Sequence, residues 1–179
     1  MVIKNLANFF TFLRIGLAPV IFACLLDSSM HQLALVLFMF ASFTDYLDGY
    51  FARKTNTVSV IGEVIDPIAD KILIVFIFYG LAVNLDSYLI AFAASVIVAR
   101  EIWVGALRDL NARNSNSDAT KVLFISKIKT TIQLFTISIY LLGLSINNML
   151  IIVIADILLF ISVLITLYTG FLYTYNTLK

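Results

Sequence analysis

Asp45-Tyr-Leu-Asp48-Gly49-Tyr-Phe-Ala52-Arg53, eight further residues, then Gly62-Glu63-Val-Ile-Asp66-Pro67-Ile-Ala-Asp70: how this stretch is read decides the fold. It sets four carboxylates (Asp45, Asp48, Asp66, Asp70) and one arginine (Arg53) inside a chain of 179 residues that is 61% hydrophobic. On a helix advancing roughly 100° per residue, Asp45, Asp48, Gly49 and Ala52 share one sector, and Gly62, Asp66 and Asp70 share a similar sector of the next segment. If the two segments form a hairpin with those faces opposed, four acidic groups converge on one small volume. Carboxylates held that close need cations between them. Only oxygen ligands are on offer, so hard divalent metals are the fitting cations. On a soluble helix a carboxylate pair at i,i+3 is simply a solvated face. In a membrane helix an aspartate near the bilayer centre costs about 2.5–3.5 kcal/mol, so four of them require a metal, a substrate or an aqueous cavity.

Composition points to the membrane. Charged residues make up 13% of the chain, about half the share of a soluble domain. The expected fold is all-α: a polytopic bundle of six transmembrane helices, with residues 1–179 forming one transmembrane domain. A net charge of +1 and the lack of a basic run give no nucleic-acid footprint, so nucleic acid is not an expected partner. Cys24 is the one cysteine in the sequence, which excludes an intramolecular disulfide and a cysteine-based metal site. His31, the one histidine, is expected in a short loop, which argues against histidine ligation or histidine base catalysis. The first apolar segment lacks a strongly basic lead and contains Arg14 and Pro19, so it reads as a span rather than a cleavable leader.

A span needs about 20 residues. Segments 9–26, 33–53, 62–84, 88–108, 127–145 and 149–172 meet that length. Residues 1–8 mix Val2, Ile3 and Leu6 with Lys4, Asn5 and Asn8, a pattern suited to a short interfacial helix. Basic residues (Lys4, Arg53, Lys54, Arg108, Arg113, Lys121, Lys127, Lys129, Lys179) gather at one set of connections and termini. The opposite set, 27–32, 85–87 and 146–148, carries no Lys or Arg. The positive-inside rule then puts both termini, the polar loops and the ends of the acidic motif at the cytoplasmic face of a cell membrane.

The spacing Asp45-x-x-Asp48-Gly49-x-x-Ala52-Arg53-x(8)-Gly62-x(3)-Asp66-x(3)-Asp70 resembles the complete signature of the CDP-alcohol phosphatidyltransferases. These are integral membrane enzymes that move a phosphatidyl or similar group from a CDP-linked donor to an alcohol. Eight specified positions over 26 residues make the match very specific. The resemblance implies two divalent cations, Mg2+ or Mn2+, with Asp45, Asp48 and Asp66 as principal ligands. Asp70 would lie near the metals and act as general base. It also implies that Gly49 and Ala52 let the pyrimidine approach the helix beside Asp48, although small residues alone also serve helix packing. Arg53 would meet a donor phosphate, brace the acidic cluster, or simply flank the membrane. Asn8, Thr11 and Arg14 are spaced like a family element that helps hold the cytidine; there a proline usually precedes, where this chain has Ala7. Asn8 alone would also suit a helix cap.

Ala99-Arg100-Glu101 with Arg108, and Lys127-Ile-Lys129-Thr130, extend the resemblance to the bacterial CDP-diacylglycerol–glycerol-3-phosphate 3-phosphatidyltransferases. So does Asp-Pro-Ile-Ala-Asp-Lys at 66–71. Two departures are Ser126, often glycine in that group, and Glu63, a fifth carboxylate near the site. Arg100, Arg108, Lys127 and Lys129 would bind an acceptor phosphate by charge-assisted hydrogen bonds. The plainer reading of Arg100 and Glu101 is a structural ion pair, with each other or with neighbours. The resemblance thus implies CDP-diacylglycerol and sn-glycerol 3-phosphate as substrates, membrane lipids as surroundings and a homodimer. Sister enzymes using inositol phosphate, serine or phosphatidylglycerol remain alternatives, as does a cation transporter lined by the aspartates. Asp156 in the sixth segment has no role in any of these readings.

Overall fold

The computed structural model describes the backbone of residues 2–55, 60–114 and 124–179, and the side chains of residues 9–44, 65–114 and 128–179. Among the described residues there are six long helices and no strand: α1 (Val2–Leu25), α2 (His31–Thr55), α3 (Val60–Asn84), α4 (Tyr88–Arg113), α5 (Phe124–Ser145) and α6 (Met149–Leu178). At about 1.5 Å per residue, even the shortest, with 22 residues, exceeds the roughly 30 Å of hydrocarbon it must cross. Each helix coincides with one of the six apolar segments, with ends that differ from it by up to seven residues. Val2–Asn8 is not a separate interfacial helix but the first two turns of α1. The sequence offers no glycine or proline between Val2 and Ile15 to break it.

Short polar signals end the helices where the apolar runs end. Asp27 caps a 3-10 turn at Ser28–Met30 by accepting from the Ser29 amide at 2.9 Å, and that bond also holds its carboxyl below the ordinary range. The α3–α4 and α5–α6 connections share one design. A left-handed residue (Asp86, φ 46°; Asn147, φ 52°) follows the helix end. The next amide reaches back five residues, Ser87 to Ala82 and Asn148 to Gly143, each at 2.9 Å. Ser87 and Asn148 then cap the following helix. Aspartate and asparagine tolerate that backbone conformation, and the reach-back bond satisfies a terminal carbonyl.

Helix contacts form a closed ring in the order α1, α3, α4, α6, α5, α2, with α3 and α5 also touching across it. α1 and α3 are parallel neighbours. The sequence reading opposed α2 to α3 through faces most of whose side chains (Asp45, Asp48, Gly49, Ala52, Gly62) lie outside the described residues; among the described residues both helices pack on α1 and on α5. The ring interior holds the apolar core, including Ile21, Phe38, Ile77, Ile97, Leu141 and Leu159. Outward-facing side chains are large and apolar, Phe92, Ile102 and Leu150 among them, the inverse of a soluble surface. On their described residues α4, α5 and α6 are each long and apolar enough to cross a membrane. The chain is an all-α membrane protein.

Two pairs of polar residues lie in the apolar half. His31 is buried as the first residue of α2, not in a loop, and its Nε2 lies 3.1 Å from the Asn84 amide nitrogen. Tyr140 donates to Asp156 at 2.5 Å, so Asp156 is a satisfied structural acid there.

Close approach fixes the α5–α6 contact. A Cβ on Gly143 would stand 2.9 Å from Ile152 Cγ1 and 3.3 Å from its backbone nitrogen. Gly105 on α4 has nothing within 4 Å. Gly143→Val should therefore destabilise the protein by about 1–3 kcal/mol. Gly105→Ala should be neutral or stabilising by up to about 1 kcal/mol. Thermal unfolding in detergent reads both, and equal effects would contradict the packing assignment.

Candidate active site

The polar residues of α1 and α3 lie on the faces that bring those helices together. Along α1 the buried positions include Thr11, Arg14, Ala18, Ile21 and Leu25, spaced by three or four, with Cys24 beside the last. On α3, Asp66 and Asp70 meet Thr11 and Arg14, and Leu73, Ile77 and Leu81 share the apolar core with Ala18, Ile21 and Leu25. Both helices thus carry their polar contact toward the N-terminal end and continue as apolar ones. Thr11 Oγ1 donates to Asp66 Oδ1 at 2.5 Å, and Arg14 Nη1 donates to Asp70 Oδ1 at 2.5 Å. Arg14 is 1% exposed, while the Asp70 side chain is 41% exposed. A buried guanidinium demands a carboxylate. Asp70 meets that demand and still opens onto free space.

That space is a cleft of about 290 Å³ between α3, α4 and α5, bordered by Asp70, Lys71, Glu101, Lys129, Thr130 and Gln133 among others. A smaller cavity of about 60 Å³ is lined by Arg14, Ala41 and Ser42 among others. Asp70, Ile74 and Thr130 border both.

Across the cleft, Glu101 gathers cations from three helices. Its Oε1 accepts from Lys129 Nζ of α5 and, at 2.9 Å, from Arg100 Nη1 of its own helix. Its Oε2 is 3.8 Å from Lys71 Nζ of α3. The group carries two positive charges in excess. Arg100 also donates to Thr169 Oγ1 at 2.9 Å, passing Gly170, where a Cβ would sit 3.1 Å from Arg100 Cγ. Arg108 donates to the Tyr173 hydroxyl at 2.9 Å, with its guanidinium carbon 5.1 Å from that ring's centre. Trp103 with Thr174 and Asn111 with Thr177 continue this polar seam between α4 and α6.

The structure therefore brings Thr11, Asp66 and Asp70 together and places Lys129 on the same cleft as Asp70. Arg100 and Arg108 turn toward α6 instead, Arg100 still touching Glu101. Asp45, Asp48, Gly49, Ala52 and Arg53 belong to the last turns of α2, Asn8 to α1 and Lys127 to α5. Their side chains, with that of Glu63, lie outside the described residues. Among the described residues no three His, Cys, Asp or Glu side chains form a metal cluster. Sequence reasoning gave Arg14 no role of its own and Glu101 only that of an ion-pair partner. The signal for Arg14 was present, as a lone charge one turn beyond Thr11 in an apolar run.

The family profile for CDP-alcohol phosphatidyltransferase matches residues 4–169. The chain belongs to the CDP-alcohol phosphatidyltransferase family. Proteins named CDP-diacylglycerol--glycerol-3-phosphate 3-phosphatidyltransferase are similar to this chain. The one from Rickettsia felis is 38% identical over 175 residues, covering 95% of this chain and 93% of its own. That from Rickettsia typhi is 37% identical, covering 95% of each. One from Salmonella choleraesuis is 29% identical over 75% of each chain. The chain is a phosphatidyltransferase, and Arg14, Lys71, Arg100, Arg108 and Lys129 gather at one end of its bundle.

The Arg14–Asp70 pair makes a specific energetic claim. Arg14→Met and Asp70→Asn should be strongly non-additive in thermal unfolding, with a coupling energy of about 1–3 kcal/mol. Additive losses would show that the two side chains do not depend on each other.

Proposed function

We propose that this chain transfers the phosphatidyl group from CDP-diacylglycerol to sn-glycerol 3-phosphate, giving phosphatidylglycerol phosphate and CMP in phospholipid biosynthesis. One observation carries the reading: a carboxylate anchored by a buried arginine shares a cleft with two lysines, Lys71 and Lys129. A base and an anion-binding wall are the two things a phosphorylated alcohol needs. The names of the relatives point to the same pair of substrates.

Asp45, Asp48, Asp66 and Asp70 would hold two divalent cations, Mg2+ or Mn2+. The donor set fits, because every donor is a carboxylate oxygen and Asp66 and Asp70 stand one turn apart with Thr11 and Arg14 fixing their directions. Bound there, the cations neutralise the diphosphate and polarise the phosphorus. Asn8, Asp48, Gly49, Ala52 and Arg53 hold the CDP end, and Thr11 contributes through Asp66. Lys129, with Arg100, Arg108 and Lys127, draws in the acceptor phosphate.

Asp70 takes the proton from the acceptor's free primary hydroxyl. The oxygen forms a bond to the phosphorus that carries diacylglycerol, and the bond from that phosphorus to the CMP oxygen breaks. Arg14 grips one Asp70 oxygen and so keeps the carboxylate aimed at the cleft throughout. The substrates approach from the cytoplasmic side of the cell (inner) membrane, where both termini also lie, in a homodimer. This side is supported by the distribution of Lys and Arg.

The test is CMP release from CDP-diacylglycerol and a divalent metal with a panel of acceptors. Glycerol 3-phosphate should be turned over well ahead of serine, inositol phosphate and phosphatidylglycerol. Silence with every acceptor would end this reading. In the same assay Asp70→Asn should lower kcat by at least about 100-fold. Near-normal turnover would remove Asp70 from the role of base.

A further inference from the structure

A carboxylate on the wall of an anion-binding cleft is out of place on charge grounds alone. Glu101 is one, and its contacts say what it does. We infer that Glu101 is a positioning residue for acceptor binding, holding the Lys129 ammonium, with the Arg100 guanidinium bracing it from behind, where the acceptor's phosphate meets the cleft. The inference rests on the reading of the cleft given above.

Lysine carries its charge on a flexible four-carbon stem. The Lys129 side chain is only 4% exposed, so water does not set its direction. Glu101 Oε1 does, and the same oxygen takes Arg100 at 2.9 Å. Thus one carboxylate ties α5 to α4, while Lys71, 45% exposed and 3.8 Å from Oε2, flanks the pair from α3. Preorganised cations bind an anion without first losing rotamer freedom.

Two accounts of Glu101 predict opposite signs. If it merely dilutes positive charge, neutralising it strengthens anion binding. If it positions Lys129 and Arg100, neutralising it weakens anion binding despite the added net charge. Glu101→Gln keeps the shape and removes the charge. Its KM for glycerol 3-phosphate should rise about tenfold or more, the scale of a lost charge-assisted hydrogen bond. The KM for CDP-diacylglycerol and kcat should stay within about twofold, while the inhibition constant of inorganic phosphate rises in parallel with the acceptor KM. In a Lys129→Met background the same change should add less than about twofold, because Glu101 acts through Lys129. Glu101→Asp, which keeps the charge but shortens the reach, should raise the acceptor KM by an intermediate factor and serves if the Gln variant does not fold. A wild-type protein that uses glycerol 3-phosphate, with an acceptor KM unchanged or lowered by both Glu101 variants, overturns the positioning role alone. A wild-type protein that releases no CMP overturns the functional reading and this inference with it.

Discussion

A guanidinium sealed inside a membrane bundle needs a carboxylate beside it, and in this chain Arg14 has Asp70. That one requirement fixes much else. It sets the register of two parallel helices, since Thr11 then meets Asp66 one turn earlier. Eleven residues beyond Arg14 on α1, Leu25 Cδ1 comes so near α3 that a Cβ on Gly80 would stand 2.8 Å from it. Polar bonds lock α1 to α3 at one end, and close apolar packing holds them at the other. Asp70 is thereby kept facing the cleft in an environment that would otherwise drive a charged group away.

Polar groups divide along the bundle. Near one end the chain gathers Arg14, Asp66, Asp70, Lys71, Arg100, Glu101, Arg108 and Lys129, with Asp45 and Asp48 in the same part of α2. Near the other end the buried polar residues form closed pairs, Tyr140 with Asp156 and His31 with Asn84. The difference is one of openness. A closed pair meets the cost of burial and offers nothing to a ligand, whereas Asp70, Lys71, Glu101 and Lys129 border an open cleft of about 290 Å³. This asymmetry argues against a transport pathway, which would need polar groups continuing through the far half.

The helices were legible because lipid makes apolar length a hard constraint, and because Asp27, Ser87 and Asn148 mark the breaks. The ring order was not legible. It depends on which faces fit closely, as at Gly80 and Gly143, and a one-dimensional pattern does not show a missing Cβ's neighbour. Among the described residues it is α1 and α5 that join α2 to α3. Within the site, spacing alone singled out Asp66 and Asp70, but Asp70's partner lies 56 residues away in sequence. Likewise Arg100 and Glu101 were readable as an ion pair. The sharing of Glu101 with Lys129 was not, since it needs α4 and α5 to converge on one cleft. His31 was misplaced because its short polar neighbours suggested a loop, when the helix begins at that residue.

The central claim is that acidic side chains from two spans coexist because divalent cations and a diphosphate compensate them. Diffraction from crystals soaked in Mn2+, recorded at the manganese absorption edge, tests it most directly. Anomalous density should lie within coordination distance of Asp66 and of Asp45 or Asp48, with Arg14 still on Asp70. Those carboxylates pointing apart, with manganese absent from between them or bound elsewhere, would contradict it.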